Sequence, residues 1–149
     1  MESDKRTFCC PYCGEKLSFL EGTVIRMDGV LSCDAFTVRT QFFFPARLGQ
    51  YGAIIAGGVD VREGAVVDFR CINARCDRSF TTQFNKELSA IRAQDGAGRD
   101  FVVVFNRTMG KHSTFLIDRA DRSLVEHHGD DAEGYAEEFE RPLNFFGAV

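Results

Sequence analysis

Two short cysteine-containing stretches organise this sequence. Residues 9–14 are Cys-Cys-Pro-Tyr-Cys-Gly, and residues 71–76 are Cys-Ile-Asn-Ala-Arg-Cys. In the first stretch the proline shapes a turn and the glycine permits a tight exit, so that the two flanking sulfurs can face a common point. The second stretch follows an apolar run that predicts a strand, which places its first cysteine at a strand end. Four thiols are thereby predicted to come together: Cys10, Cys13, Cys71 and Cys76.

These four thiols suit zinc, which prefers four tetrahedral ligands and binds thiolates well. The two pairs are separated by 57 residues. Metal binding contributes about 10 kcal/mol to the folding of small zinc domains, and the entropic cost of loop closure grows only logarithmically with loop length. Because four thiolates leave no coordination position for water or substrate, we expect a structural Zn²⁺ ion rather than a catalytic one. Iron in a rubredoxin-like setting is an alternative that thiolate ligands leave open.

The cysteine pairs resemble those of zinc-ribbon proteins, whose first knuckle has the CPxCG form found at residues 10–14. The resemblance covers residues 8–20 and 65–84 and does not single out one family of ribbons. It implies that two knuckles cap β-hairpins and hold one ion between them. The sequence departs from the common pattern in two ways: the second pair is Cys-x4-Cys rather than Cys-x2-Cys, and the segment between the pairs is long for a ribbon.

Composition indicates a water-soluble globular chain. Hydrophobic residues make up 44% and charged residues 27%, and the 15 Phe have no polar atom to satisfy, so most should form a core. The first residues are charged and no run approaches the ~20 apolar residues of a membrane span, so we expect a cytoplasmic protein without a membrane partner. In that reducing compartment cysteines are more often ligands or catalytic thiols than disulfides. We expect Cys33 to pack in the core and Cys9 to be a thiol that binds no metal. Either one is an alternative to a member of the predicted ligand set.

The region between the cysteine pairs is predicted to be antiparallel β. Residues 33–44 alternate with the period of a half-buried strand. The pair Asp28-Gly29 predicts a turn before that strand, and the four glycines of residues 49–58 predict a loop. Shorter strands are expected at residues 23–27, 59–61, 65–70 and 80–84.

The C-terminal half predicts a helix followed by a β-meander. Residues 86–94 favour a short helix, since Leu88 and Ile91 share one face and Asn85 can serve as an N-cap. The fold class is therefore α+β, predominantly antiparallel β: a zinc ribbon with a long β insertion between its knuckles, then a C-terminal β-meander with one short helix. Strands are expected at residues 101–105, 114–117 and 124–126. The predicted regions are 1–85 (ribbon with inserted strands), 86–128 (helix plus antiparallel strands) and 129–149 (acidic, Phe-rich tail).

The acidic tail predicts a protein partner. Residues 81–149 carry eight basic and twelve acidic side chains, whereas residues 1–80 are balanced at ten each. Acidic charge beside aromatic residues suits docking into a basic, apolar groove. We therefore expect a non-catalytic accessory or regulatory subunit that docks on a larger assembly, without an evident small-molecule substrate. The predicted partner-binding residues are Phe139, Leu143, Phe145 and Phe146.

Two other functions use the same residues. Cys-Pro-Tyr-Cys is also the active-site motif of glutaredoxins, which implies a thiol-disulfide oxidoreductase using Cys10 and Cys13, provided that a helix follows to lower the pKa of the first thiol. A nucleic-acid-binding ribbon would use Arg70, Arg75 and Arg78 against phosphates, but the acidic balance of the chain does not favour it. If the bound ion is structural, the sequence assigns no catalytic residue.

Overall fold

The chain forms ten strands in the part that the structure, a computed structural model, describes: residues 6–33 and 36–139. Side chains are described for residues 6–32 and 36–135. No helix in this part is long and apolar enough to cross a membrane. The strands are β1 Arg6–Cys9, β2 Ser18–Phe19, β3 Val24–Cys33, β4 Phe36–Pro45, β5 Ile54–Ile55, β6 Asp68–Arg70, β7 Leu88–Asp95, β8 Asp100–Asn106, β9 Thr114–Asp118 and β10 Leu124–His128.

The strands form two antiparallel sheets, as the sequence predicted for most of the chain. Sheet A has the order β1-β7-β8-β9-β10, and its last three strands correspond to the strands of the predicted meander. Sheet B has the order β2-β3-β4-β5, with β6 paired to the edge of β3 that β2 also uses. The predicted loop at residues 49–58 contains β5 and a short 3₁₀ turn, Ala56–Gly58.

The turn predicted at Asp28-Gly29 is wrong, because β3 continues straight through it. Gly29 pairs with Thr40 on one side and with Phe69 on the other. A Cβ atom at this position would lie 2.6 Å from Phe42 Cδ1 and 2.8 Å from Val67 Cγ1. The glycine therefore makes room for a buried aromatic ring inside a strand rather than reversing the chain.

The helix predicted at residues 86–94 is also wrong, because this segment forms β7. The strand pairs with β1 on one edge and with β8 on the other, and its first four residues are all buried. A strand that is covered on both faces loses the polar alternation that marks a half-buried strand. The apolar residues Leu88 and Ile91 then happen to have helical spacing, and the described residues contain no α-helix.

Three of the shorter predictions also differ from the structure. Residues 59–61 form no strand, and residues 80–84 contribute one bridge between Thr81 and Ser89. The predicted strand at residues 65–70 is reduced to β6 together with a bridge from Val66 to Thr108. Backbone hydrogen bonds still connect residues 64–67 to residues 107–109, so this segment is extended and paired without forming a regular ladder.

The main core lies between the sheets, and a smaller core covers the other face of sheet A. The smaller core includes Ala132 and Tyr135, which belong to an eight-residue 3₁₀ helix, Ala132–Phe139. Asn106 Nδ2 donates a hydrogen bond of 3.0 Å to Tyr135 Oη, which fixes that helix on the sheet. The predicted boundary at residues 85/86, between the first two regions of the chain, stays a prediction. Strands β1 and β7, which lie on opposite sides of this boundary in sequence, pair with each other. Buried residues of the main core include Phe8, Leu17, Ile25, Met27, Phe42, Phe69, Phe80, Ile91, Phe101, Val103 and Leu116.

Candidate metal centre

The first cysteine pair lies at the tip of a hairpin that begins with β1. Cys9 and Lys16 form a bridge at its base. The turn is closed by two backbone hydrogen bonds, from Cys10 N to Glu15 O at 2.8 Å and from Gly14 N to Cys10 O at 3.0 Å. Gly14 has φ +80°, which a residue with a side chain adopts at a cost, so this exit glycine is required by the turn.

The second pair lies at the tip of another hairpin, which begins with β6. Its base is closed by the hydrogen bond from Cys71 N to Arg78 O at 3.1 Å. Asn73 organises the wider turn: its backbone oxygen accepts from the N–H groups of Cys76 at 3.0 Å and of Asp77 at 2.9 Å. The two residues by which the Cys-x4-Cys spacing exceeds Cys-x2-Cys thus lie in a local turn, and the two sulfurs still converge.

The four sulfurs lie within 4.8 Å of one another, which is close enough to hold a metal ion. The Sγ atoms of Cys10 and Cys76 are 3.8 Å apart, and those of Cys13 and Cys71 are 3.6 Å apart. A regular tetrahedron with metal–sulfur bonds of about 2.3 Å has edges of about 3.8 Å. A disulfide would require about 2.05 Å, so these contacts join separate thiols.

Three backbone N–H groups point at these sulfurs. Tyr12 N lies 3.4 Å from Cys10 Sγ, Glu15 N lies 3.4 Å from Cys13 Sγ, and Asn73 N lies 3.4 Å from the sulfur of Cys71. Such donors stabilise a thiolate because they face its negative charge. Both hairpin tips therefore present their sulfurs as acceptors, as a metal ligand requires.

Burial determines the acidity of the thiols when no cation neutralises them. It raises the pKa of Cys10 to about 11, and it also raises the pKa of Cys71. Cys13 is exposed, and although its slight burial acts upward, hydrogen bonds from Glu15 N and the neighbouring thiols lower its pKa. Two buried thiols therefore hold their protons at neutral pH unless a cation replaces them, so metal binding must release protons.

Side-chain contacts also join the two hairpin tips directly. Asn73 Nδ2 donates to Glu15 Oε1 at 3.1 Å, and the Arg78 guanidinium lies 3.8 Å from the centre of the Tyr12 ring. Sequence analysis assigned no role to Glu15 or Asn73, because polar residues in turns carry no signal of a contact between hairpins. Together these pairs fix the relative position of the sulfurs from outside the cluster.

Two of the three arginines considered for phosphate contact have partners inside the chain. Arg70 pairs with Asp68 at 2.7 Å and with Asp77 at 3.3 Å, and Arg78 lies over Tyr12. Arg75 is exposed. Neighbouring carboxylates therefore match the charge of Arg70, and an aromatic ring occupies Arg78.

The remaining predicted residues lie apart from the cluster or outside the described residues. Cys9 is half-buried in β1 and does not belong to the group of four. The side chains of Cys33 and Phe139, and the whole of Leu143, Phe145 and Phe146, lie outside the part that the structure describes. Residues 13–20 contain turns, the bridge at Lys16 and β2, so the helix that a glutaredoxin-like site needs is not found after Cys13.

Comparison with known protein families, with curated proteins and with solved structures finds no match for this chain.

Proposed function

We propose that this chain is a non-catalytic zinc-binding protein of the zinc-ribbon type, with Cys10, Cys13, Cys71 and Cys76 as ligands. The convergence of four sulfurs from two hairpin tips, at separations that fit a tetrahedron, supports it most directly. A site with four thiolates offers no position for a substrate or an activated water. The ion would therefore contribute to folding rather than to catalysis.

The position of the cluster gives the ion a structural task. The first hairpin contributes β1 to sheet A and β2 to sheet B. The second contributes β6 to sheet B, while its returning strand reaches sheet A through the hydrogen bond from Ala90 N to Phe80 O at 2.9 Å. A zinc ion between the two tips would tie the sheets together at the edge where they join. Loss of the ion would then weaken the contacts of both sheets.

The proposed role of the folded chain is recognition, as an accessory or regulatory subunit on a larger protein assembly. An apolar strip on the outer face of sheet B supports this role; we define it as Phe19, Phe43 and Ile54. The rings of Phe19 and Phe43 are 6.0 Å apart, and Ile54 stands opposite Phe43 in the ladder with 71% of its surface exposed. Contiguous exposed apolar side chains mark interaction surfaces in soluble proteins. The predicted tail residues Phe139, Leu143, Phe145 and Phe146 belong to the same proposal.

Metal analysis of matched cysteine variants tests the zinc site. We expect the purified chain to contain one zinc ion, Cys71→Ser to lose it and to melt at a lower temperature, and Cys9→Ser to keep both properties. Cys9 is the control because it lies beside the cluster in sequence without belonging to it. A Cys71→Ser protein that retains its zinc and its melting temperature would show that the ligand set is wrong. A metal-free native chain with an alkylatable Cys10 would instead favour the oxidoreductase alternative.

Docking is tested separately by recovering the tagged chain from the cells that express it. We expect a protein partner in fixed proportion to the chain, lost with Phe19→Ser/Ile54→Lys or with Leu143→Ser/Phe145→Ser/Phe146→Ser. Lys86→Gln, a change at an exposed residue that belongs to neither proposed surface, is the control. All variants should keep their zinc, which separates loss of docking from loss of the fold. A native chain that remains monomeric at its natural abundance would refute the accessory role.

A further inference from the structure

A second site, separate from the cysteines, lies in a cleft between the two sheets. The cleft is open to solvent and has a volume of about 100 Å³, of the same order as the ~150 Å³ apolar cavity that accepts a benzene ring. One wall is formed by β3 and β4, the opposite wall by β7 and β8, and the mouth by residues 45–51 and 108–114. Its floor is part of the main core: Met27, Phe44, Phe69, Ile91, Val103 and Phe105.

The floor is mainly aromatic. Phe69 is central, with ring-centre distances of 5.5 Å to Phe44 and 5.6 Å to Phe105, and these two rings are 6.4 Å apart. Phe69 is almost wholly buried, whereas Phe44 and Phe105 are partly exposed, so these two rings are the aromatic surface that the cleft offers. Met27 and Met109 add flexible thioether side chains, which adapt to irregular apolar surfaces. This floor suits a flat, apolar body.

The mouth of the cleft is polar and its charged groups are all basic. Arg47 and Lys111 line it, and of the lining residues none is Asp or Glu, in a chain whose net charge is −4. The closest carboxylate recorded for Lys111 is that of Glu87 at 3.8 Å, with about half of each side chain exposed. Such a pair is weak and can yield to a bound anion. The lining thus carries positive charge at the entrance and apolar surface at the base, with the carboxylate of Asp131 beside the mouth, where it accepts from His112 N at 2.8 Å.

The mouth is also held in place before any ligand binds. Tyr51 donates or accepts a hydrogen bond of 3.0 Å with Thr114 Oγ1, and its ring stacks on His112 at 4.3 Å. Gly129 permits this arrangement, because a Cβ atom there would lie 2.7 Å from Tyr51 Oη. Its φ of +102° also favours glycine. A preformed mouth reduces the entropic cost of binding.

We infer that this cleft binds a small organic anion with an aromatic body, of the aryl carboxylate or aryl sulfonate class. The aromatic part would lie on the rings of Phe44 and Phe105, above the buried ring of Phe69, and the anionic group would lie at the mouth beside Arg47 and Lys111. Sequence patterns carry no sign of this small-molecule site, because its lining comes from six separate segments. Binding at this cleft goes beyond the proposed zinc-dependent recognition and involves none of the four cysteines.

A pair of fluorescent probes that differ only in charge tests the inference. 8-Anilinonaphthalene-1-sulfonate carries the anion, and N-phenyl-1-naphthylamine has the same aromatic skeleton without it. We expect saturable binding of one molecule of each probe to the zinc-loaded chain. In Arg47→Gln/Lys111→Gln the affinity for the sulfonate should fall about fivefold, as for two exposed ion pairs, while that for the neutral amine is unchanged. The matched control Arg62→Gln/Lys86→Gln removes the same charge outside the cleft and should bind both probes normally.

A filled cleft provides the second measurement. Met109→Trp places a larger side chain in the lining and should abolish binding of both probes, while zinc content and cooperative unfolding are retained. Equal loss of the two probes in the charge variant, or undiminished sulfonate binding in it, would overturn the anion assignment. Saturable binding that persists in folded Met109→Trp would overturn the location. Binding of either probe without saturation would show a surface effect and refute the site.

Discussion

Replacing Gly29 by alanine should destabilise the protein, although alanine stabilises an ordinary strand interior by roughly 0.5–1 kcal/mol over glycine. The added Cβ would lie 2.6 Å from Phe42 Cδ1 and 2.8 Å from Val67 Cγ1. Phe42 and Val67 are fully buried, and β3 is paired on both edges at this point, so neither the ring nor the strand can move freely. Overpacking of this kind costs about 1–3 kcal/mol. Because the added atom meets two fully buried side chains at less than 3 Å, the cost lies at the upper end of that range, and subtracting alanine's gain of roughly 0.5–1 kcal/mol leaves a net loss of about 2 kcal/mol in the free energy of unfolding.

Thermal and urea unfolding of the zinc-loaded protein would measure this loss. For a chain of this length a loss of 2 kcal/mol corresponds to a fall in Tm of about 6 °C. Gly52→Ala is the matched control: no atom lies within 4 Å of its added Cβ, so it should change stability little. Gly29→Ala combined with Phe42→Leu should be less destabilised than the sum of the two single changes, because the smaller side chain relieves the clash. A Gly29→Ala protein as stable as the wild type would refute the close packing of β3 against Phe42.

Three further changes test other parts of the fold. Ser89 Oγ is buried and has no hydrogen-bond partner among the described residues. Ser89→Ala should therefore leave the free energy of unfolding, measured in urea, unchanged or raise it by up to about 1 kcal/mol. A clear loss of stability would contradict this. Arg107 donates hydrogen bonds to the backbone oxygens of Val67 at 2.9 Å and Lys86 at 2.8 Å. Arg107→Met should therefore lower the free energy of unfolding by about 2 kcal/mol. An unchanged urea midpoint would rule these hydrogen bonds out. The hydrogen bond from Arg99 lowers the pKa of Asp118. This ion pair therefore stabilises the fold fully at pH values above the unfolded-state pKa of about 3.9. Its contribution is lost as the pH falls through the lower pKa of the folded state. The difference in Tm between wild type and Asp118→Asn should therefore be present at about pH 6 and shrink as the pH falls below about 3.9. A difference that grows on acidification would contradict the sign.

The sequence predicted the cysteine cluster well because its signal is local. Each pair sits within a few residues at a turn, and turn chemistry places two sulfurs together without help from the rest of the chain. The meander was predicted for a similar reason: the runs at 101–105 and 114–117 are dense in β-branched and aromatic residues and are separated by polar turns. Both features depend on neighbours in sequence.

Predictions failed where distant parts of the chain decide the conformation. Residues 88–95 form a strand because β1, some eighty residues earlier, pairs with its second half and because the C-terminal 3₁₀ helix covers the second face of its first half. Gly29 lies in a strand interior because Phe42 needs its space. The contact from Asn73 to Glu15 spans 58 positions in sequence. No local pattern contains this information.

X-ray absorption spectroscopy of the purified native chain at the metal edge tests the central claim most directly, since it counts the ligand atoms and measures their distances without any substitution. The account predicts zinc surrounded by four sulfur atoms at about 2.3 Å, with no nitrogen or oxygen ligand. Oxygen or nitrogen scatterers at the metal, fewer than four sulfurs, or a native chain that binds no zinc would contradict it.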